Sequence, residues 1–171
     1  QFVHIHYEEQ IEAIPREISE DKDRSLIVYT SAIPTDHKLL THFKERGYAV
    51  YKRAEVLGAV SRRQTTLAVA GTHGKTITAA LAAHILHTAK KPLAAFVGGI
   101  VHGYSSNLVT REPMRPETLI VVEADEFDQS FLSFRPDIAI VTTVDADHLD
   151  VYEDQAGVYE AFRAFIARVL H

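Results

Sequence analysis

The segment Gly71-Thr72-His73-Gly74-Lys75-Thr76 sets two glycines, a lysine and a threonine between a short apolar run and an alanine-rich one. Glycines let a backbone turn tightly and bring its amide hydrogens close to an anion. A helix opening here adds oriented N–H groups and about half a positive charge. Lys75 can then reach the outer phosphates of a nucleotide, and the Thr76 hydroxyl suits their magnesium ion. The glycine that a general phosphate loop carries five residues before Gly74 is absent, because Val69 stands there. The signal is therefore for nucleotide phosphate and is silent on the reaction.

Two more groups of side chains follow apolar runs. Glu123, Asp125, Glu126 and Asp128 come just after "TLIVV". Four carboxylates together repel one another, and a hard cation such as Mg²⁺ relieves that repulsion. Asp145, Asp147, His148 and Asp150 follow "DIAIVTTV". There His148 could be a metal ligand, an orienting partner of one, or a surface residue. Each group has a plainer reading: a glycine turn with a solvated lysine, a solvated acidic loop, an exposed histidine. Convergence favours the functional reading, because ligands of open α/β sheets sit at the carboxyl ends of strands and each group follows a strand-like run.

The elements that would position these groups are legible from periodicity. Phe2–Tyr7 alternates as a strand, and residues 8–18 form a short helical piece limited by Pro15. Ser25–Ile33 reads as a buried strand. Asp36–Gly47 reads as a helix with Asp36 as N-cap and Gly47 as its stop. "YAVYKRAEVLGAVSR" gives a strand and a helix that reach Arg62 and Arg63 in a linker. Leu67–Ala70 predicts the strand before the glycine loop, and a helix is expected from Lys75 to Thr88. "LAAFVGGI", "TLIVVEADE" and "DIAIVTTV" are near-continuous apolar runs, as buried parallel strands should be. A final helix sets Val158, Phe162, Phe165 and Val169 on one face. This alternation predicts an α/β fold with a parallel sheet, in two domains of residues 1–63 and 64–171.

Composition narrows the class further. The 171 residues include no cysteine, so disulfides and thiolate metal sites are excluded, and a reducing cytosol suits the chain. A formal net charge of −5 with no basic stripe argues against a nucleic-acid partner. No apolar stretch is long enough for a membrane helix, and no secretory signal is visible. Gly98-Gly99 and Ser105-Ser106-Asn107 fit a polar substrate channel or a plain loop. His102 reads as a surface residue, and His4, His6, His37 and His42 are scattered without metal-site spacing.

"AGTHGKT" (Ala70–Thr76), "VVEADEFDQSFL" (Val121–Leu132) and "DADHLDVY" (Asp145–Tyr152) together resemble the ATP-dependent Mur ligases. "VYTSAIP" (Val28–Pro34) and "RAEVLG" (Arg53–Gly58) resemble the segment that family places ahead of its phosphate loop, which has this shortened form. The resemblance implies the end of a Rossmann-like UDP-binding domain followed by the first part of a central ATP-binding domain. It implies the joining of an amine to a UDP-sugar carboxylate through an acyl phosphate, with L-alanine and UDP-N-acetylmuramate as substrates. The rivals are a ligase that reattaches recycled peptides, a folylpolyglutamate synthase, and a nucleotide-binding module without amide chemistry. Gly71 to Thr76 would hold ATP, with Lys75, Glu123 and His148 as catalytic residues; Lys75 would bind its β- and γ-phosphates, and Thr76, Glu123 and His148 would hold magnesium. Ser105, Ser106 and Asn107 would lie near the sugar, and Ser31, in "TSAIP", would face the UDP portion. The family's N-terminal glycine-rich motif and C-terminal domain are not in this sequence, so it reads as an excerpt. An excerpt is expected to be inactive alone, and an exposed sheet edge could drive strand exchange between copies.

Overall fold

The apolar runs become strands and the alanine-rich run a helix for the reason their periodicities suggest. The computed structural model describes residues 5, 9–111, 113–145, 152 and 154–170, with backbone only at Asp128. The strand expected over Phe2–Tyr7 lies outside these apart from Ile5. The chain divides into two units, residues 1–56 and 57–171.

In the first unit, Pro15 separates a 3-10 turn, Ile11–Ala13, from a one-turn helix α1, Arg16–Ser19. Strands β1 (Leu26–Tyr29) and β2 (Ala49–Lys52) pair in parallel, with helix α2 (Lys38–Glu45) connecting them. Asp36 is not the cap of α2. The N-cap is His37, which makes no side-chain capping bond, because the turn after Pro34 delays the helix by one residue. Gly47 does end the helix: with φ of +72° it donates to the Lys44 carbonyl, while Tyr48 donates to that of Phe43. Helix α3 (Arg53–Ser61) crosses the division between the units.

The second unit is built on a five-stranded sheet. Strands β3 (Thr66–Ala70), β4 (Leu93–Val101), β5 (Ser106–Arg111), β6 (Leu119–Glu123) and β7 (Ile138–Val141) lie in the order β5-β4-β6-β3-β7. The pairs β4–β6, β6–β3 and β3–β7 are parallel. The edge strand β5 is antiparallel, joined to β4 by a hairpin. Helix α4 (Lys75–Thr88) begins where the glycine loop predicts, and α5 spans Gln155–Ile166.

Alternation along the strands sends side chains into two cores. Val69, Val121, Leu93 and Ala95 pack with Ala79 and Ala83 of α4. Ala68, Ala70, Ile120 and Val122 pack with Phe131, Phe134 and, from α5, Val158, Phe162 and Phe165. Val169 follows the end of α5 and is only half-buried. Full burial of one such side chain contributes about 1.5–3 kcal/mol. Because β3 lies between β6 and β7, the chain leaving each of the three emerges at one edge of the sheet. That placement brings Thr76 to Glu123 and Lys75 to Glu126.

Candidate functional site

The glycine loop starts where β3 stops. Val69, the residue at the position of the absent glycine, is fully buried inside β3 and pairs with Glu123 and Ile140. The strand thus runs through that position, and the loop is correspondingly short. Gly71 turns the chain at φ of +128°, and Gly74, at φ of +81°, is the N-cap of α4. The end of β7 pins the loop: Thr72 N donates to the Thr143 carbonyl at 2.9 Å and His73 N to Thr143 Oγ1 at 3.0 Å. Asp145 N donates to Thr72 Oγ1 at 2.9 Å, and Thr142 Oγ1 donates to the His73 carbonyl.

Lys75 opens α4 and turns back over its own loop. Its side chain is only 13% exposed, and Nζ donates to the Gly71 carbonyl at 2.8 Å. It also donates to both Glu126 oxygens, at 2.8 and 3.0 Å, while Asp125 Oδ1 is 3.8 Å away. Thr76 Oγ1 donates to Glu123 Oε1 at 2.8 Å. Gly98 N donates to the other oxygen, Oε2, at 2.6 Å. That bond depends on an irregularity in β4. Phe96 pairs with Leu108, but Val101 pairs with Ser106, so the intervening β4 residues bulge out of the ladder.

The acids after β6 therefore separate by role. Glu123 ends the strand and faces Thr76, Asp125 is exposed, and Glu126 is buried against Lys75. Glu123 Oε1 and Thr76 Oγ1 are two hard oxygens in mutual contact beside a helix N-terminus. Such a pair fits a magnesium ion that takes its other ligands from phosphate and water. Among the described residues there is no cluster of three or more histidines and acids that could hold a metal without such help.

His148, Asp147 and Asp150 lie outside the described residues. The His73 ring is exposed, with Nε2 3.9 Å from Asp145 Oδ2. Ser105 has φ of +52° in the β4–β5 hairpin; Ser106 opens β5 and accepts from Leu108 N at 3.0 Å, with Asn107 between them. That hairpin follows the carboxyl end of β4 and so stands at the same sheet edge as the glycine loop. Ser31 is in the first unit, in the turn after β1. The sequence gives no separate role to Glu126, Thr142 or Thr143, and offers Gly98 only as part of a polar channel or a plain loop. The threonine pair closing the apolar run of β7 was the one local signal available.

Residues 69–171 match a family model described as the Mur ligase middle domain. The chain is 46% identical over 165 residues to a UDP-N-acetylmuramate–L-alanine ligase of Flavobacterium psychrophilum, covering 96% of this chain and 36% of that one. To the ligase of the same name from Cytophaga hutchinsonii it is 42% identical over 165 residues, 96% of this chain and 35% of the relative. The crystal structure of a UDP-N-acetylmuramate–alanine ligase from Thermotoga maritima superposes with a TM-score of 0.73 at 26% identity. The superposition covers 91% of this chain and 36% of that chain. The chain thus spans little more than a third of the length of the curated relatives it matches.

Proposed function

The chain belongs to the Mur ligase family, and from that premise we propose that it is the nucleotide-gripping part of a UDP-N-acetylmuramate–L-alanine ligase. The observation that carries this reading is the joint grip at one sheet edge. Lys75 on the phosphate loop and the Thr76–Glu123 contact converge from neighbouring strands. The similarity in both sequence and structure to ligases of that name supports the choice of substrates.

In the proposed reaction the muramoyl carboxylate oxygen attacks the γ-phosphorus of ATP. The bond to the β–γ bridging oxygen breaks, giving ADP and an acyl phosphate. The alanine amine then attacks the acyl carbon, phosphate leaves, and the amine loses a proton to form the amide. Phosphoryl transfer of this kind depends mainly on position and charge neutralisation. Gly71 to Lys75 cradle the phosphates, and the Lys75 ammonium neutralises charge on the outer ones. Glu123 and Thr76 would hold a magnesium ion, and His148 would serve a second metal position. When bound, such an ion would supply charge stabilisation to the oxygens of the transferring phosphoryl group. Ser105, Ser106 and Asn107 serve the sugar end of the acceptor, and Ser31 serves the UDP portion. Residues 1–63 are read as the end of the UDP-binding domain and 64–171 as the start of the ATP-binding domain. A cytoplasmic setting fits these substrates, and no helix among the described residues is long and apolar enough to cross a membrane.

The test is product analysis with the full-length protein, ATP and UDP-N-acetylmuramate, offering alanine, serine, glycine and a tripeptide together. The alanine adduct should dominate, with one ADP and one phosphate formed per amide. Preferential use of the tripeptide, or nucleotide binding without any amide, would overturn the assignment.

A further inference from the structure

Glu126 is a buried carboxylate for which the reaction above has no use. The whole residue is 2% exposed, yet both of its oxygens lie within 3.0 Å of Lys75 Nζ. An ammonium has three hydrogens. The two Glu126 oxygens and the Gly71 carbonyl, at 2.8 to 3.0 Å, can take all of them, and the Thr72 carbonyl stands further off at 3.4 Å. A phosphate oxygen that bonds Nζ must therefore take the place of one of these acceptors.

The carboxylate has little freedom to follow the lysine or to retreat into water. Its own carbonyl accepts from Gln129 N and from the Tyr152 hydroxyl. The next turn is closed by Phe131 N donating to the Asp125 carbonyl at 2.8 Å, and Phe131 is in the core. Separating the pair would leave a buried charge without its partner, which is costly.

We propose that Glu126 is a positioning residue that competes with nucleotide phosphate for the Lys75 ammonium, weakening nucleotide binding while fixing where that ammonium sits. The proposal rests on the reading of Gly71–Thr76 as a nucleotide site. Glu126→Gln keeps the size and one acceptor but removes the charge, so Mg–ATP and Mg–ADP should bind about 10-fold more tightly. Both kcat and the KM for ATP should fall, because the ammonium is held less firmly and ADP leaves more slowly. Glu126→Asp keeps the charge but draws it back by one methylene, so its affinity should lie between the parent and Glu126→Gln. A purely structural role would instead lower the melting temperature and weaken binding.

The experiment is calorimetric titration of the full-length protein with Mg–ADP and Mg–ATP, in the parent, both Glu126 variants, Lys75→Met, and Lys75→Met combined with Glu126→Gln. Lys75→Met should bind far more weakly than the parent, and most of the Glu126→Gln gain should vanish in the double variant. If Lys75→Met binds like the parent, the nucleotide reading itself fails. If Lys75→Met loses affinity but Glu126→Gln binds no better than the parent, or gains as much without Lys75, competition is refuted and the nucleotide reading stands. Should Glu126→Gln not fold, Glu126→Asp decides by direction: tighter binding supports the proposal and equal or weaker binding overturns it.

Discussion

Gly98 and Glu123 are matched by one hydrogen bond and one steric exclusion. The glycine N–H donates to Glu123 Oε2 at 2.6 Å, and a Cβ at position 98 would stand 2.7 Å from that same oxygen. Only a residue without a side chain lets the β4 backbone approach the carboxylate this closely. The bulge in β4 turns the amide out of the ladder, and the carboxylate then presents its other oxygen to Thr76.

Gly98→Ala should therefore act on magnesium more than on folding. The clash is with the far end of a flexible side chain, so the fold loses about 1 kcal/mol at most. Glu123, however, must shift from the position in which it meets Thr76. The magnesium concentration for half-maximal ligation should rise about 10-fold, with a matching loss of Mn²⁺ affinity by paramagnetic resonance of the full-length protein. An unchanged metal titration would dismiss the match as incidental.

Gly71 and Gly74 have the same backbone sign but different surroundings, and alanine should separate them. At Gly71 a Cβ would meet Thr142 Oγ1 at 2.1 Å and the backbone nitrogens of Thr142 and Thr143 at 2.9 Å. Backbone cannot yield as a side-chain tip can, so Gly71→Ala should cost roughly 3 kcal/mol or more, strain and overpacking together. At Gly74 nothing lies within 4 Å. Gly74→Ala should cost only about 1–2 kcal/mol, the left-handed penalty alone. Urea denaturation of the two variants checks the order, and equal losses would show that the β7 threonines do not brace the loop.

How much of this was legible in the sequence depended on whether the cause was local. The start of α4 at Lys75 and its end at Thr88 follow from a glycine loop and an alanine-rich run, and both were readable. The three strand ends were readable as well, because buried parallel strands are continuous apolar runs. The β4–β5 hairpin was not, since "SNLVTR" has no clear alternation and its pairing partner sets its direction. Glu126 could not be told from Glu123 or Asp125, because its burial depends on the 3-10 turn Phe127–Ser133 carrying Phe131 into the core. Gly98 acquires its role from a residue 25 positions away. Asp36 had the right chemistry for a cap, but the backbone turn placed His37 there instead.

The core beneath the site should be sensitive in the way a stacked aromatic cluster is. The rings of Phe131 and Phe165 stack with centroids 5.0 Å apart, and Phe162 meets Phe131 edge-on at 5.3 Å. Phe165 has no exposed surface, whereas Ile166 beside it is 52% exposed. Phe165→Ala should lose about 3–5 kcal/mol, and Ile166→Ala no more than about 0.5 kcal/mol. Chemical denaturation midpoints of the two would measure this, and a small loss for Phe165→Ala would mean that α5 does not anchor the turn after Glu126.

The contact between Thr76 and Glu123 makes a stricter demand on the proposed metal site, because two side chains that held one ion could not act independently. Each of Thr76→Ala and Glu123→Gln should lower kcat/KM for ATP by about 100-fold, within the range for losing one preorganised charge-stabilising contact. Once the ion is misplaced by the first change, the second has little left to remove. The double variant should then fall no more than about 10-fold below the worse single, far short of the roughly 10,000-fold that independence would give. Raising magnesium should recover part of the activity of each single variant, since the remaining ligand still marks the position. Full additivity, or no recovery with magnesium, would mean that the two side chains, although 2.8 Å apart, serve different partners.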